Sequence, residues 1–417
     1  MWRSSFDRMA RRLIRKGRLT VIGPDGKATE YGPGGEGYSA EVRFTEEAVY
    51  RRICLNPELA LGEGYMDGTI EIATDQLEEL LRLLISNRKD VRSEASYPPI
   101  ARAWESLRYA LRRWAMRNTP LSARRNVAHH YDLSDDLYRL FLDEDWQYSC
   151  AYFARPDMTL EEAQAAKKAH IAEKLMIRAD DRVLDIGCGW GGMALTLARD
   201  YGARVVGVTL SENQLKRARA RAEAAGLSNR VEFRLLDYRK LDESFDRIVS
   251  VGMLEHVGLP QLPVYFDKVR DLLAPDGVAL IHTIGRVSPP TTQSAWLSKY
   301  IFPGGYVPSL SELAVPVEAS GLWITDLEVL LGHYHYARTL REWRHRFEAN
   351  LDEVRKLNDE RFVRMWRYYL TACEVTFDET RQGVFQLQLA HEQGALPATR
   401  EYIYTPPPSA VQLKAGE

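Results

Sequence analysis

Residues 182–192 read "RVLDIGCGWGG", an apolar run closed by four glycines in six positions. Such a run describes a strand that turns sharply into a helix, and "GMALTLARDYG" supplies the helix. "ARVVGVTL" then reads as a second strand and "SENQLKRARARAEAAGL" as a second helix. "VEFRLLD", "FDRIVSVG" and "GVALIHTIG" continue the alternation. Strands separated by helix-length segments cannot pair as hairpins. They predict an α/β fold, a mostly parallel Rossmann-like sheet with helices on both faces. Such a sheet binds its ligand beyond the carboxyl ends of its strands, so the glycine loop marks where to look for function.

The loop fits more than one cofactor. Gly187, Gly189 and Gly192 satisfy G-x-G-x-x-G, but a dinucleotide site also needs an acid about 20 residues on to hold the ribose. That place reads Val208-Thr209-Leu210, with no acid, and no GK[ST] sequence offers a phosphate loop. LDxGCGxGG is instead the form of an S-adenosylmethionine loop, in which glycines let the backbone approach a cofactor that has no phosphate. Asp185 precedes the turn and can orient the loop or accept from the cofactor's amino group. Asp237 ends the third strand, where an acid can accept from the adenine amine, with Tyr238 beside the ring. The alternative, glycines serving only a tight turn, has difficulty with so many in so few positions.

Several further stretches carry a resemblance: "HHYDLSDDLYRLFLDEDWQYSCAYF", "GVTLSENQ", "SVGMLEHVG", "LIHTIG", "YIFPGG", "HYHYARTL" and "YYLTACEVTF". With the glycine loop, they run in order over roughly residues 125–390 and resemble the cyclopropane fatty acid synthases and mycolic acid cyclopropane synthases. The resemblance implies a methyltransferase that moves the sulfonium methyl of S-adenosylmethionine onto the cis double bond of a phospholipid acyl chain. A base then removes a proton to close the ring. It implies bound bicarbonate as that base, held by Cys150, Glu255, His282, Tyr336 and the backbone of Ile284. In that set His282, Tyr336 and a backbone N–H can donate to an anion, and Glu255 can accept the bicarbonate hydroxyl proton. Cys150 is then a small polarizable wall and not a nucleophile. The same matching gives Tyr148, Ser149, Gly187, Gly189, Thr209 and Gln214 to the methyl donor. Cys373 matches a cysteine proposed as catalytic in the family, but cyclopropanation needs no thiolate and the alternative is a core position.

The rest of the chain divides by composition. Residues 1–125 carry 22 Lys+Arg against 17 Asp+Glu, a surplus of five, so with a total of −2 the remainder is −7. The basic half looks towards something anionic, nucleic acid or phospholipid. "MWRSSFDRMARRLIRKGRL" places Trp2, Phe6, Met9 and Leu13 at helical spacing among seven basic residues. Such a helix can lie in a membrane interface or pack on its own domain, and Arg-rich, acid-poor ends also occur in transit peptides. "LTVIGPDGKATEYG" reads as two extended runs around a turn, and "TDQLEELLRLLISNRKD" as a capped helix. "RSEASYPPI" is a linker candidate, followed by an apolar stripe, Trp104, Leu107, Leu111 and Trp114, flanked by Arg108, Arg112, Arg113 and Arg117. These features suggest a smaller N-terminal α+β domain over residues 1–120. Through "ALGEGYMDG" it loosely resembles the family's N-terminal domain, which implies a place on the lipid side, where it can dimerise, dock on a membrane, or both. A catalytic domain over 121–404 and a disordered tail over 405–417 complete the expected organisation.

Four scattered cysteines with no CxxC pair argue against a zinc site or disulfide scaffold and suit a reducing cytoplasm. No run of about 18 apolar residues suggests a spanning helix. The expected location is therefore cytoplasmic, with peripheral contact at the inner face of the membrane. His129-His130 beside Tyr131-Asp132 has no companion ligands at metal spacing, so no metal is expected. Trp190 is a lid over the cofactor or packing, His256 a packing or capping residue, and Cys54 and Cys188 small buried residues. "SPPTTQSAWLSKYIFPGGYVPS" suits a cap over an acyl pocket. Other readings stand beside ring closure: a relative giving methyl-branched or methylene chains, a nucleic-acid methyltransferase, and a catalytically silent binding protein. Against nucleic acid, no Asn/Asp-Pro-Pro-aromatic motif or Pro-Cys nucleophile occurs.

Overall fold

The computed structural model describes residues 1–90, 103, 106–111 and 135–404. The boundary expected near residue 120, the linker, the His129-His130 pair, Trp104, Trp114 and the tail lie outside the described residues.

Two sheets organise the chain. In the first, the turn at Pro24-Asp25-Gly26 joins strands β1 (Gly17–Ile22) and β2 (Ala28–Gly34) as the sequence predicts. Strands β3 (Ser39–Phe44) and β4 (Ile70–Glu71) complete the order β2-β1-β3-β4. The N-terminal helix forms over Trp2–Leu13, but its apolar face is covered: Phe6, Met9, Ala10 and Leu13 are buried in this domain's own core. Phe6 meets Tyr31, Phe44 and Tyr50 edge-on at 5.9, 5.5 and 5.3 Å. Each such apolar side chain contributes roughly 1.5–3 kcal/mol when buried. The reading in which that face enters a membrane is thereby corrected. Only the basic face, with Arg8, Arg11, Arg12 and Arg15, is exposed.

The predicted helix after the second extended run spans Leu77–Asp90. It joins this domain to the rest through Arg82, which donates to Glu78 (2.9 Å) and reaches across to Asp378 (2.7 Å) and Glu379 (3.2 Å) on the Glu360–Glu379 helix.

The second sheet has seven strands. β5 (Arg182–Ile186), β6 (Arg204–Thr209), β7 (Val231–Leu235), β8 (Phe245–Val251) and β9 (Leu273–Arg286) run parallel. β10 (Trp323–Leu331) and β11 (Gln382–Ala390) are antiparallel additions, in the order β10-β11-β9-β8-β5-β6-β7. The strands run to both sides of β5, so the crevice opens at its carboxyl end, where the glycines follow. In the sequence, "LWITDLEVL" and "GVFQLQLA" both read as added edge strands; the first, β10, is at the edge, but β11 is interior, between β9 and β10. Its glutamines explain the misreading. Gln386 and Gln388 are buried and bonded, to His282 Nδ1 at 3.2 Å and to Tyr402 at 2.7 Å. Among the described residues no helix is long and apolar enough to cross a membrane.

Candidate active site

The glycine loop leaves β5 with its backbone tied to the next strand, Gly187 N–H and Cys188 N–H both donating to Val208 O at 3.0 Å. Gly187 has φ +83°, and a Cβ there would lie 2.7 Å from Met253 Cγ, so only glycine fits. Gly189 has φ +54° and would direct a Cβ into open space beside the loop. That space is a cavity of about 150 Å³. It gathers Tyr148, Ser149, Asp185, Gly187, Gly189, Thr209, Gln214, Asp237 and Tyr238, every residue the sequence assigns to the methyl donor.

Most polar groups of this cavity are already engaged. Thr209 Oγ1 donates to Gln214 Oε1 at 2.8 Å, and Ser211 caps the following helix by accepting from Gln214 N–H at 3.2 Å. Asp237 departs from expectation: Arg239 donates to its two carboxylate oxygens at 2.9 and 2.6 Å. Burial opposes ionisation of Asp237, but Arg239 outweighs it and holds the carboxyl below its usual range. Asp185 is different. It is 2% exposed, its Oδ2 has no hydrogen-bond partner among the described residues, and burial pushes its pKa up to about 7. A buried carboxyl left this way suits a cationic group arriving with a ligand.

The "WQYSCAYF" segment forms a turn beside this cavity. Asp143 caps it, accepting from Asp145 N–H (3.0 Å) and Gln147 N–H (2.8 Å). The Leu160–Leu175 helix clamps it from behind. Gln164 Nε2 donates to the carbonyls of Gln147 (3.2 Å) and Ser149 (3.0 Å), and Lys167 Nζ donates to Gln147 Oε1 (2.7 Å) and Ser149 Oγ (2.8 Å). Sequence reasoning missed Lys167, Gln147, Arg239 and Gln386. Lys167 is wholly buried, and burial pushes its amine down to about 7. A neutral amine still has two N–H donors, which matches its two contacts. The one available signal was a lysine pair on a helix rich in alanine, which reads equally as a solvated face.

A second cavity, of about 450 Å³, shares Tyr148, Ser149, Gly252 and His256 with the first. Its walls bring together Cys150, Glu255, His282, Ile284, Tyr336 and Cys373, all six residues of the expected catalytic set. β9 presents His282 and Ile284, and the short turn after β8 presents Glu255. β8 pairs with β9 only as far as His282, so the Ile284 N–H meets no strand there and donates instead to Glu255 Oε1 at 2.6 Å. The backbone donor expected to face an anion is therefore taken by Glu255, a correction to that assignment.

Among the residues lining this cavity, three buried side-chain atoms are without a partner among the described residues: Glu255 Oε2 and His282 Nε2, both in the expected catalytic set, and Gln293 Oε1 in the cap segment. With the Gln386 amide oriented so that its Nε2 donates to His282 Nδ1 (3.2 Å), the ring proton lies on His282 Nε2. Burial holds His282 neutral, far below its ordinary value, and raises Glu255. Burial likewise raises the Cys150 thiol and pushes Cys373 up to about 12, so neither is a thiolate near neutral pH. Tyr336 packs against Phe377 with centroids 4.4 Å apart and the rings tilted by 39°, and Tyr148 OH meets Tyr369 OH at 2.8 Å. Residues of the 288–309 segment line the same cavity, among them Thr291, Phe302 and Tyr306, where the sequence suggests a cap. His256 lines both cavities, with burial pushing its pKa down to about 4. Trp190 lines the donor cavity while donating to Asp135 at 3.2 Å, so it both covers and packs.

A seven-stranded, mostly parallel sheet with a glycine loop and this cavity at its carboxyl edge defines an S-adenosylmethionine-dependent methyltransferase. The chain belongs to the mycolic acid cyclopropane synthetase family, whose description matches residues 119–387. A domain of unknown function (DUF7884) matches residues 12–96. The chain is 38% identical to a probable fatty acid methyltransferase of Pseudomonas putida, over 82% of this chain and 86% of the relative. It is also 38% identical to the cyclopropane-fatty-acyl-phospholipid synthase of Escherichia coli K12, over 81% and 84%. Among solved structures it resembles the mycolic acid cyclopropane synthase CmaA1 complexed with SAH and CTAB, with a TM-score of 0.61 and 35% identity over 64% of this chain and 97% of that one.

Proposed function

We propose that this protein transfers the methyl group of S-adenosylmethionine to the cis double bond of a phospholipid acyl chain and closes a cyclopropane ring, with bicarbonate as base. The observation that carries this reading is the common wall of the two cavities. Tyr148, Ser149, Gly252 and His256 border both, so a methyl group held in the first faces a chain held in the second.

When bound, the donor supplies an electrophilic methyl on a sulfonium, and bicarbonate supplies a base. This chain's residues do the rest. Asp185 meets the donor's ammonium, and the glycine loop, Thr209 and Gln214 border its polar end. Asp237, held by Arg239, and Tyr238 border the adenine. Tyr148, Tyr336, Tyr369 and Phe377 exclude water and offer ring faces to cationic charge developing on the acyl chain. The orphaned pair fits a small anion that carries a proton: His282 Nε2–H donates and Glu255 Oε2 accepts. Cys150 and Tyr336 close the same space, and Cys373 is a wall rather than a nucleophile. The exposed basic face of the N-terminal helix supports peripheral docking on anionic membrane by charge alone.

A second reading is favoured by the probable fatty acid methyltransferase among the relatives: methylation of the same bond with a methyl-branched or methylene product. Expression in cells that hold unsaturated phospholipids but no cyclopropanes separates the two. Ring closure adds one CH2 that survives mild hydrogenation and gives upfield ring protons by NMR. The same mass gain without ring protons assigns the branching reaction, and unchanged lipids refute both.

A further inference from the structure

The N-terminal domain contains a cavity of its own, about 240 Å³, whose walls include Phe6, Leu13, Val42, Phe44, Leu80 and Leu81. Its far side is catalytic-domain surface: Trp296 and Leu297 from the cap segment, and Tyr368 and Ala372 from the Glu360–Glu379 helix. The cavity is not isolated. Glu58, Ile85, Arg88, Ser294, Leu297 and Thr376 line both it and the reaction cavity. Thr376 lies one helical turn from Cys373, which faces the reaction cavity.

The shared border sets the polar Glu58, Arg88, Ser294 and Thr376 beside Ile85 and Leu297, whereas the rest of the N-terminal cavity is walled almost wholly by apolar side chains. Arg88 Nη1 donates to Glu58 Oε1 at 2.8 Å, and both side chains are more than a third exposed. Ser294 and Thr376 add hydroxyls. An apolar N-terminal space and a reaction cavity with an aromatic wall at Tyr336, Tyr369 and Phe377, diverging from a polar, partly exposed junction with a guanidinium, match a lipid that has two hydrocarbon chains and a phosphodiester between them. A single-chain ligand would leave one space unfilled by chain.

We propose that the N-terminal cavity holds the second acyl chain of a diacyl phospholipid whose unsaturated chain enters the reaction cavity, with the glycerophosphate at the Arg88–Glu58 junction. This rests on the acyl-chain reading of the reaction cavity. It gives the N-terminal domain a binding role: the domain selects two-chain lipids and holds the idle chain away from the site of methyl transfer.

The test uses the full-length protein and a diacyl phospholipid with one cis-unsaturated chain and one saturated chain ending in a diazirine. After photolysis, adducts are mapped by peptide mass spectrometry. The expected adducts fall on residues 6–21 and 80–84, which line the N-terminal cavity and not the reaction cavity. Adducts confined to reaction-cavity walls such as Ile284 or Phe377, or to neither cavity, overturn the proposal. A lysophospholipid with the diazirine on its only chain should label the reaction cavity; labelling of the N-terminal cavity would mean that the reacting chain itself lies there. Labelling needs no turnover, so adducts as expected without any added CH2 would sink the reaction and not the chain site.

Ala10→Phe, which narrows the N-terminal cavity from its first helix, gives a second readout. Turnover on the diacyl lipid should fall roughly tenfold while the matched lysophospholipid changes by no more than about twofold. Equal losses on both lipids, or no loss on either, contradict it.

Discussion

The two cavities that meet at Tyr148 and Ser149 are built on opposite principles. In the donor cavity, polar side chains answer one another: Thr209 with Gln214, Asp237 with Arg239, Ser149 with Lys167. In the reaction cavity three buried polar atoms, Glu255 Oε2, His282 Nε2 and Gln293 Oε1, have no partner among the described residues, and the first two belong to the expected catalytic set. An unsatisfied buried polar group costs about 1–3 kcal/mol, so a fold keeps one where something else completes it. The donor cavity is thus preformed, with Asp185 alone held in reserve, and the reaction cavity is completed by what it binds.

The sharpest way to break this contrast is Glu255→Gln. The amide oxygen can still accept from Ile284 N–H, so local structure survives, but the proton acceptor is gone. Turnover should fall roughly a hundredfold or more, with S-adenosylhomocysteine affinity by calorimetry unchanged. Turnover within a few-fold of wild type would contradict the role given to Glu255.

Asp185→Asn probes the exception on the donor side. Affinity for S-adenosylhomocysteine should drop roughly tenfold, the scale of one charge-assisted hydrogen bond. Because burial pushes Asp185 up to about 7, the carboxylate that receives the ammonium is lost as pH falls through that value. Wild-type affinity should weaken below neutral pH, and the Asn variant should lack that slope. Parallel curves for the two proteins would rule the contact out.

Lys167→Met sharpens the contrast through the clamp. The folded chain releases this proton near pH 7, whereas the unfolded chain keeps it to about pH 10.5. The unfolded state binds more protons in that window, so this group makes stability rise with pH across it and withholds that gain below. The wild type should therefore gain stability relative to the Met variant between about pH 7 and pH 10, read from denaturant midpoints. A pH-independent difference would mean that Lys167 does not titrate there. The smallest effect is expected at Cys373→Ser. A thiol whose pKa is pushed up to about 12 is no nucleophile, so turnover should stay within about twofold, and a loss of a hundredfold would restore the thiol to the chemistry.

What the sequence discloses here is what lies close together in the chain. The glycine loop, Asp185, and the pair Thr209 and Gln214 sit within one strand–helix–strand–helix run, so their pattern is readable without the fold. Cys150, Glu255, His282 and Tyr336 come from four distant segments; each is recognisable within its own motif, and their meeting in one cavity is a product of the sheet. The missed residues are those whose meaning depends on burial by remote elements. Lys167 looks like surface until the helix is seen pressed against the 146–153 turn. Gln386 looks like the solvent face of an edge strand until β11 is found between β9 and β10. The N-terminal helix shows the same limit: its apolar stripe is legible, but the sequence leaves membrane and domain core both open as its cover, and the fold decides for the core.

Everything proposed for the reaction cavity turns on whether the orphaned pair Glu255 and His282 holds an anionic base. The most direct test is turnover on unsaturated phospholipid in buffer stripped of carbon dioxide, followed by titration with bicarbonate. If the pair holds bicarbonate, activity collapses on depletion and returns with saturable dependence on bicarbonate, while donor affinity stays constant. Full activity without bicarbonate would contradict it and assign proton removal to Glu255 or another side chain.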